Sequence, residues 1–444
     1  MTITDKVGKV GYGWDSWSID INLMKGYCCF YMVLTNLSQK VASIKRCGFL
    51  ATNAVALCAA LFSTALHAEE KEVLGPVLEF SMAETLGFTE NQLHLESDKL
   101  GDWSVQGIVT GLSFHQTNPV SSNGASYSGF SNAQVIVQKK DGPIRLFAQT
   151  GLYSIPTLGT PFMRAEPQTV GSFGYLPQAF VSIVPGENWS IALGKLPSMG
   201  GVEATFTYEN PNIQRGLLWV QTNSVSRGMQ VNYEDDLFTA AFTWNDGAYS
   251  DVYNWLGGLV SVKPNERSIL TASWTGSVWG NATNNPTTQL LSNNSQISNL
   301  IYQYTGDRWT VTPYLQYTNV PANTAIGING SSGTYGGSVI TTYHVTPLDK
   351  GVAPKFHVSI PTRFEYQSTY GNSQISDMPA GLMYGAGSSA WSATLTPTVQ
   401  WGKVFGRFEL GYVRAFNMTS GLAFGANGMN SNQTRVMLEA GVLY

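Results

Sequence analysis

Charge is what this chain has least of. Asp, Glu, Lys and Arg together make up 12% of its 444 residues, against about 25% in an ordinary soluble domain. Long apolar runs are also missing. None reaches the ~20 residues that a helix needs to cross a bilayer, and mean hydropathy is −0.06, so a helical membrane protein is excluded. Cysteine occurs only as Cys28, Cys29, Cys47 and Cys58. Beyond residue 68 there is no thiol, which removes disulfide frameworks, zinc–cysteine sites and thiol nucleophiles from that part. Histidine there is limited to His94, His115, His344 and His357. No pair has the helical spacing of a metal site, none adjoins a Gly-x-Ser-x-Gly turn, and no Walker loop or Gly-x-Gly-x-x-Gly fingerprint occurs. Asn245, Asp246 and Asp251 match no calcium-loop spacing. The sequence therefore predicts no enzyme, no metal and no cofactor.

Aromatics are as common as charges, at 12%, and there are 46 Gly. With abundant Asn, Ser and Thr, this composition fits a wall with one greasy face and one wet face.

The first 68 residues read as an N-terminal extension followed by a secretory signal over about 40–68. Lys40, Lys45 and Arg46 supply the positive end. Ala54 to Phe62 is an apolar run too short to span a membrane. Cleavage is expected after Ala68, with Ala65 the next choice, and Met32 is a plausible start. Residues 1–68 take six of the 25 Lys and Arg and three of the 29 Asp and Glu, leaving 19 and 26, a formal charge of −7. Such a balance argues against nucleic acid as a partner. Residues 69–101 form a more charged lead-in, a periplasmic tail or a partial plug, with a short helix at Ser81–Leu86.

From 102 to 444 the dominant signal is a two-residue rhythm. Trp391, Ala393, Leu395, Pro397, Val399 and Trp401 alternate with Ser392, Thr394, Thr396, Thr398 and Gln400. Phe356, Val358, Ile360, Phe364 and Tyr366 alternate with Lys355, His357, Ser359, Arg363, Glu365 and Gln367. Aromatics bracket the apolar face, and such segments approach the 9–11 residues of a membrane strand. Short turns, such as 140–142, 185–188 and 234–236, alternate with long Gly, Ser and Asn-rich connections, such as 115–130, 198–224 and 418–431. The counted strands are roughly 102–114, 131–139, 143–152, 176–184, 189–197, 225–233, 237–245, 254–262, 267–276, 297–304, 308–319, 335–345, 354–368, 387–401, 406–417 and 432–444, with 214–221 assigned to a loop. The reading is all-β: a transmembrane antiparallel up-and-down β-barrel of about 16 strands, closed because an open edge in lipid costs several kcal/mol per unpaired group. A barrel of this size encloses water. Short turns face the periplasm and long loops the cell exterior, which places the chain in the cell outer membrane of a Gram-negative cell, with outer-membrane lipid around it.

The last strand alternates Val436, Leu438, Ala440, Val442 and Tyr444. A terminal aromatic on such a strand, Tyr444, looks like the assembly signal read by the barrel-assembly machinery. Arg363, Glu365, Arg407, Glu409, Arg435 and Glu439 share the polar register. An Arg on the lipid side costs about 2–4 kcal/mol at the midplane, so all six belong on the lumen wall, and the four on neighbouring strands can form cross-strand ladders. Arg145, Arg267 and Arg308 fall in the same inward register. Arg414 has the outward parity, through a bulge or a position above the bilayer.

Ala192-Leu-Gly-Lys195-Leu-Pro-Ser, Gly201-Val-Glu203, Asn210 and Arg215-Gly-Leu-Leu-Trp219, with Asn245-Asp-Gly247, resemble the OmpL-like β-barrel porin family, also called porin-2. The local match covers roughly 175–250. The resemblance implies an outer-membrane porin, a water-filled channel for passive diffusion of small hydrophilic solutes or ions. It also implies that the third outer loop, 198–224, folds inward, so that Glu203, Glu209, Arg215 and the nearby Arg227 form a pore constriction. A surface adhesin or structural barrel is the alternative, and a homotrimer is one assembly the sequence leaves open.

Overall fold

The computed structural model describes residues 82, 83, 86, 93–97, 101–120, 123–284, 288–349, 353–371 and 383–444. The signal, its cleavage point and most of the lead-in lie outside these. The strands are β1 (Leu93–Ser97), β2 (Gly101–Gln116), β3 (Ser126–Lys139), β4 (Ile144–Tyr153), β5 (Gln178–Ile183), β6 (Trp189–Pro197), β7 (Val225–Glu234), β8 (Phe238–Asn245), β9 (Trp255–Asn265), β10 (Ser268–Ser277), β11 (Gln296–Thr305), β12 (Trp309–Val320), β13 (Ser332–His344), β14 (Phe356–Gly371), β15 (Ser389–Leu395), β16 (Thr398–Trp401), β17 (Val404–Phe416) and β18 (Asn432–Leu443).

From β2 onward each stave pairs antiparallel with the next, and β18 returns to β2, Leu443 opposite Ile108 and Arg435 opposite Gln116. The sheet is a closed barrel of sixteen staves, because β15 and β16 are two halves of one. Both pair with β14 on one side and β17 on the other. The break falls at Thr396–Pro397, where Pro397 has no N–H to give a ladder. The expected strand at 387–401 is therefore interrupted. β1 adds to the free edge of β2 below the end of β18, with Leu93 opposite Val105 and Ser97 opposite Gly101.

The alternation is realised as a sheet turned inside out. Phe364, Leu315, Leu438 and Trp401 are exposed, whereas Thr312, Gln367, Ser392 and Thr396 are buried. Outward aromatics gather near the short turns, where Trp309 packs on Tyr343 and Trp189 on Tyr233. They gather again toward the long loops, where Trp391 meets Tyr412 and Tyr317 stacks on Tyr370. Two such rows mark the interfaces of a membrane barrel. In the turn after β7, the Asp235 carboxylate accepts the N–H groups of Leu237 and Phe238. The Phe238 amide foremost holds its pKa below the usual carboxylate value.

Several expectations are corrected. Met82, Ala83 and Leu86, the described part of Ser81–Leu86, are not helical. Arg267 and Arg308 sit exposed in turns rather than on the inward register, while Arg145 is buried. Arg414 keeps its outward parity without a bulge. The β17–β18 register runs unbroken to Arg414 opposite Asn432, and the guanidinium lies 5.3 Å from the Phe416 ring centre.

Leu315 is 62% exposed in the middle of β12. Leu315→Lys is expected to cost about 2–4 kcal/mol in reversible urea unfolding from lipid vesicles. A loss no greater than that of Leu315→Ala would contradict an apolar surround.

Candidate functional site

The 198–224 connection joins β6 to β7 and turns into the barrel. Residues 202–218 are buried throughout. It contains one short turn of 3-10 helix at Thr207–Glu209 and another at Trp219–Gln221. Such a segment leaves most of its backbone N–H and C=O groups without sheet partners, and buried polar backbone must be paired somehow. Here the inward wall pairs it.

Glu409 on β17 accepts the N–H of Ile213 at 2.5 Å and of Gln214 at 3.1 Å, besides the Gln214 amide at 2.8 Å. Glu365 on β14 accepts the N–H of Leu217 at 3.0 Å and the Ser392 hydroxyl at 2.7 Å. Gly216 lies directly against this carboxylate, and a Cβ there would collide with it. Arg407 donates to the carbonyls of Thr207 at 2.8 Å and Asn210 at 2.9 Å while pairing with Glu439 at 2.5 Å. Glu439 also accepts the hydroxyls of Thr207 and Ser131, at 2.7 and 3.0 Å. Arg363 donates to Glu203 and to the Gln214 carbonyl, both at 2.6 Å, with its Nε 3.2 Å from Glu365.

The second long loop enters as well. Arg435 donates to the carbonyls of Thr157 and Thr160 at 3.1 and 3.0 Å, and to Gln116 and Gln214, both at 2.9 Å. Arg215 bridges the two loops through its backbone: its N–H donates to the Pro156 carbonyl, and its carbonyl accepts the Leu158 N–H. The Arg215 guanidinium donates to the Ile213 carbonyl at 2.9 Å. Glu209 folds back on its own turn, accepting the Phe206 N–H at 3.2 Å. Asn210 holds the same turn, donating to the carbonyls of Ala204 and Phe206.

The six wall residues, Glu203, Glu209 and Arg215 thus lie in one buried lattice. Its form differs from the expected ladder. Arg407 and Glu439 are directly opposite and pair, but Arg435 stands opposite Gly411 and Glu409 opposite Met437, so the second rung is replaced by bonds to the loops. Arg227 is outside the lattice. It shares the parity of Met229, Val231 and Tyr233 on β7 and is opposite Lys195, away from the inward Ser226 and Gln230. Its guanidinium clamps Asp246 at 2.7 Å and Asp251 at 2.6 Å and lies 3.9 Å from the Tyr249 ring centre. Burial raises the pKa of Asp246. Tyr444 faces outward with Lys403 over its ring at 3.4 Å, and its backbone pairs with Gly107.

Residues that sequence reasoning missed are the neutral partners: Ser131, Thr207, Gln214, Thr157 and Gln116. A bulge explains Ser131. Thr110 is opposite Asn132 and Gly111 opposite Phe130, so Ser131 is the extra residue. The bulge turns both Ser131 and Asn132 inward. Apolar residues also face the interior, notably Ile108, Leu112, Phe114 and Met437, where they meet Phe206, Phe162 and Ile213 from the loops.

Comparison with known proteins places these features in a family. A family model described as beta-barrel porin-2, OmpL-like, matches residues 102–444. No curated protein matches the chain. Among solved structures, OmpF of Salmonella typhi in complex with daunomycin is 13% identical with a TM-score of 0.52, covering 79% of this chain and 100% of that one. The anion-selective porin of Comamonas acidovorans is 12% identical with a TM-score of 0.51, covering 77% and 99%. The outer-membrane channel DcaP of Acinetobacter baumannii is 10% identical with a TM-score of 0.51, covering 79% and 99%. At these identities the likeness is one of fold.

Arg407→Met leaves Glu439 buried without its ion pair, at an expected cost of about 3–5 kcal/mol. Adding Glu439→Gln should recover part of that loss. A double-mutant cycle by denaturant unfolding checks this, and a coupling energy of zero would refute the pairing.

Proposed function

This chain belongs to the OmpL-like β-barrel porin-2 family, and from that premise we propose that its channel passes small hydrophilic solutes or ions through a throat set by the inward loop 198–224. The chain is an outer-membrane porin. The finer reading concerns what the charges do. Glu203, Glu209 and Arg215, with Arg363, Glu365, Arg407, Glu409, Arg435 and Glu439, act as the fastening that fixes the loop's position and so the throat's width. The observation that carries this is the pattern of partners. Glu365 and Glu409 take N–H groups of this loop and Arg363 and Arg407 its carbonyls, while Arg435 bonds the Gln214 side chain and the Thr157 carbonyl of the second loop.

Family and fold favour a conduit over a surface adhesin. The reading assigns transport and no catalysis. Its remaining parts are outer-membrane lipid around the aromatic rows, the barrel-assembly machinery at the Tyr444 strand and assembly as a homotrimer, for which light scattering of the detergent-solubilised protein measures the mass.

The triple variant Glu203→Gln, Glu209→Gln, Arg215→Gln should give larger and noisier steps in planar-bilayer recordings, because the loop loses the Glu203–Arg363 ion pair and the charged ties within its own turns. Arg227→Gln, outside the lattice, should keep the parent's conductance. Unchanged step size, noise and ion selectivity in the triple variant would sink the reading.

A further inference from the structure

The lead-in touches the loop from beneath. The Met82 N–H donates to the Val202 carbonyl at 3.0 Å, and the Leu86 N–H to the Tyr208 carbonyl at 3.1 Å. Both sequence numbers rise together, so these lead-in residues follow the loop in the same direction across the interior. Their side chains reach different walls. Ala83 is buried with Val202, Leu218, Ile301, Tyr314 and Ile340, on the β11–β13 side, and Met82 packs against this group. Leu86 is buried with Ile108, Ile136, Phe147, Phe405 and Leu443. Those five lie toward the short-turn ends of β2, β3, β4, β17 and β18, which is the periplasmic end.

We propose that Met82, Ala83 and Leu86 belong to an intraluminal strap that lies on the periplasmic side of the inward loop and holds the channel in a narrowed state, from which its release widens the path. This rests on the porin reading above, with loop 198–224 as the throat. Three features make the strap a built contact. It supplies N–H donors to two loop carbonyls that the wall lattice leaves for it. It carries small and medium apolar side chains into two separate clusters. And the wall it meets is apolar on its inward face at Ile108, Ile136 and Leu443, where a purely aqueous lumen would favour polar residues. Leu86 shares this patch with Phe206 and Tyr208 of the inward loop, so strap and loop cover it together. Burial of one Leu side chain is weak enough to reverse, on the scale at which two channel states interconvert.

The test uses the full chain. Ala83→Glu, Leu86→Glu puts two carboxylates into the clusters and should expel the strap. Planar-bilayer recording of this variant is expected to show a unitary conductance up by about threefold, or closures lost, relative to the parent. Heat-modifiable electrophoretic mobility verifies that the barrel has formed. If the double variant fails to fold, single cysteines at Leu86 and at the exposed turn residue Glu187, with the four native cysteines replaced by Ser, give a second readout. A membrane-impermeant maleimide should label Leu86→Cys about tenfold more slowly than Glu187→Cys. Equal steps from parent and folded variant, or equal labelling rates, overturn the strap and leave the porin reading intact. No steps from either folded protein overturn both.

Discussion

A backbone amide in hydrocarbon has nothing to bond with except another strand, and each one left unpaired costs several kcal/mol. That constraint governs the molecule. It forbids a free edge, so β18 must return to β2. It makes every stave give its outward side chains to lipid, which is why the exposed positions are Phe364, Leu315, Leu438 and Trp401. The inward register is then the only place within the membrane for charge. The scarcity of charged residues in the composition and their concentration inside the barrel are one fact seen twice.

Once inside, a charge is expensive unless paired, and a long inward loop is expensive unless its backbone is bonded. The two costs offset each other. Glu409 and Glu365 do for the 213–217 backbone what a neighbouring strand does elsewhere, and Arg407 does the converse for the carbonyls of Thr207 and Asn210. Hydrogen bonds to ionised groups are the stronger kind, so a few wall residues hold an irregular segment. The family-like pieces of sequence acquire reasons here. Gly216 is Gly because the Glu365 carboxylate occupies the space of a Cβ, and Asn210 is Asn because its amide closes the Thr207 turn.

The two-residue rhythm made the sixteen staves legible, and parity alone put Arg363, Glu365, Arg407, Glu409, Arg435 and Glu439 indoors. Parity also carried the information that Arg227 points out, since it is two residues before Met229. Proximity in sequence to the loop was the misleading cue. Other features had no sequence signature. A backbone carbonyl looks the same in every residue, so the bonds from Arg407 and Arg435 to Asn210 and Thr157 could not be read. The Ser131 bulge shifts parity within a strand without changing composition. Pro397 did interrupt the pattern, but it fell on the apolar face and so passed as one more apolar residue. Ile108 and Leu112 sit on the inward face because loops cover them, a tertiary fact that alternation cannot express.

The lattice is one-sided. Its wall charges all sit on β14, β17 and β18. On the opposite arc the loop is met by neutral groups: the Gln316 amide donates to the Leu218 carbonyl and the Asn299 amide to that of Gly200. The inward residues there, such as Ser226, Gln230, Thr243, Ser261, Thr271 and Thr312, are hydroxyls and amides. An ion pair broken on the charged wall strands a buried charge, whereas a broken amide contact strands only a dipole, at a much smaller cost. The loop is therefore anchored on one side and merely touched on the other. The paired charges of the lattice thus occupy one arc of the interior, and hydroxyl and amide groups line the other.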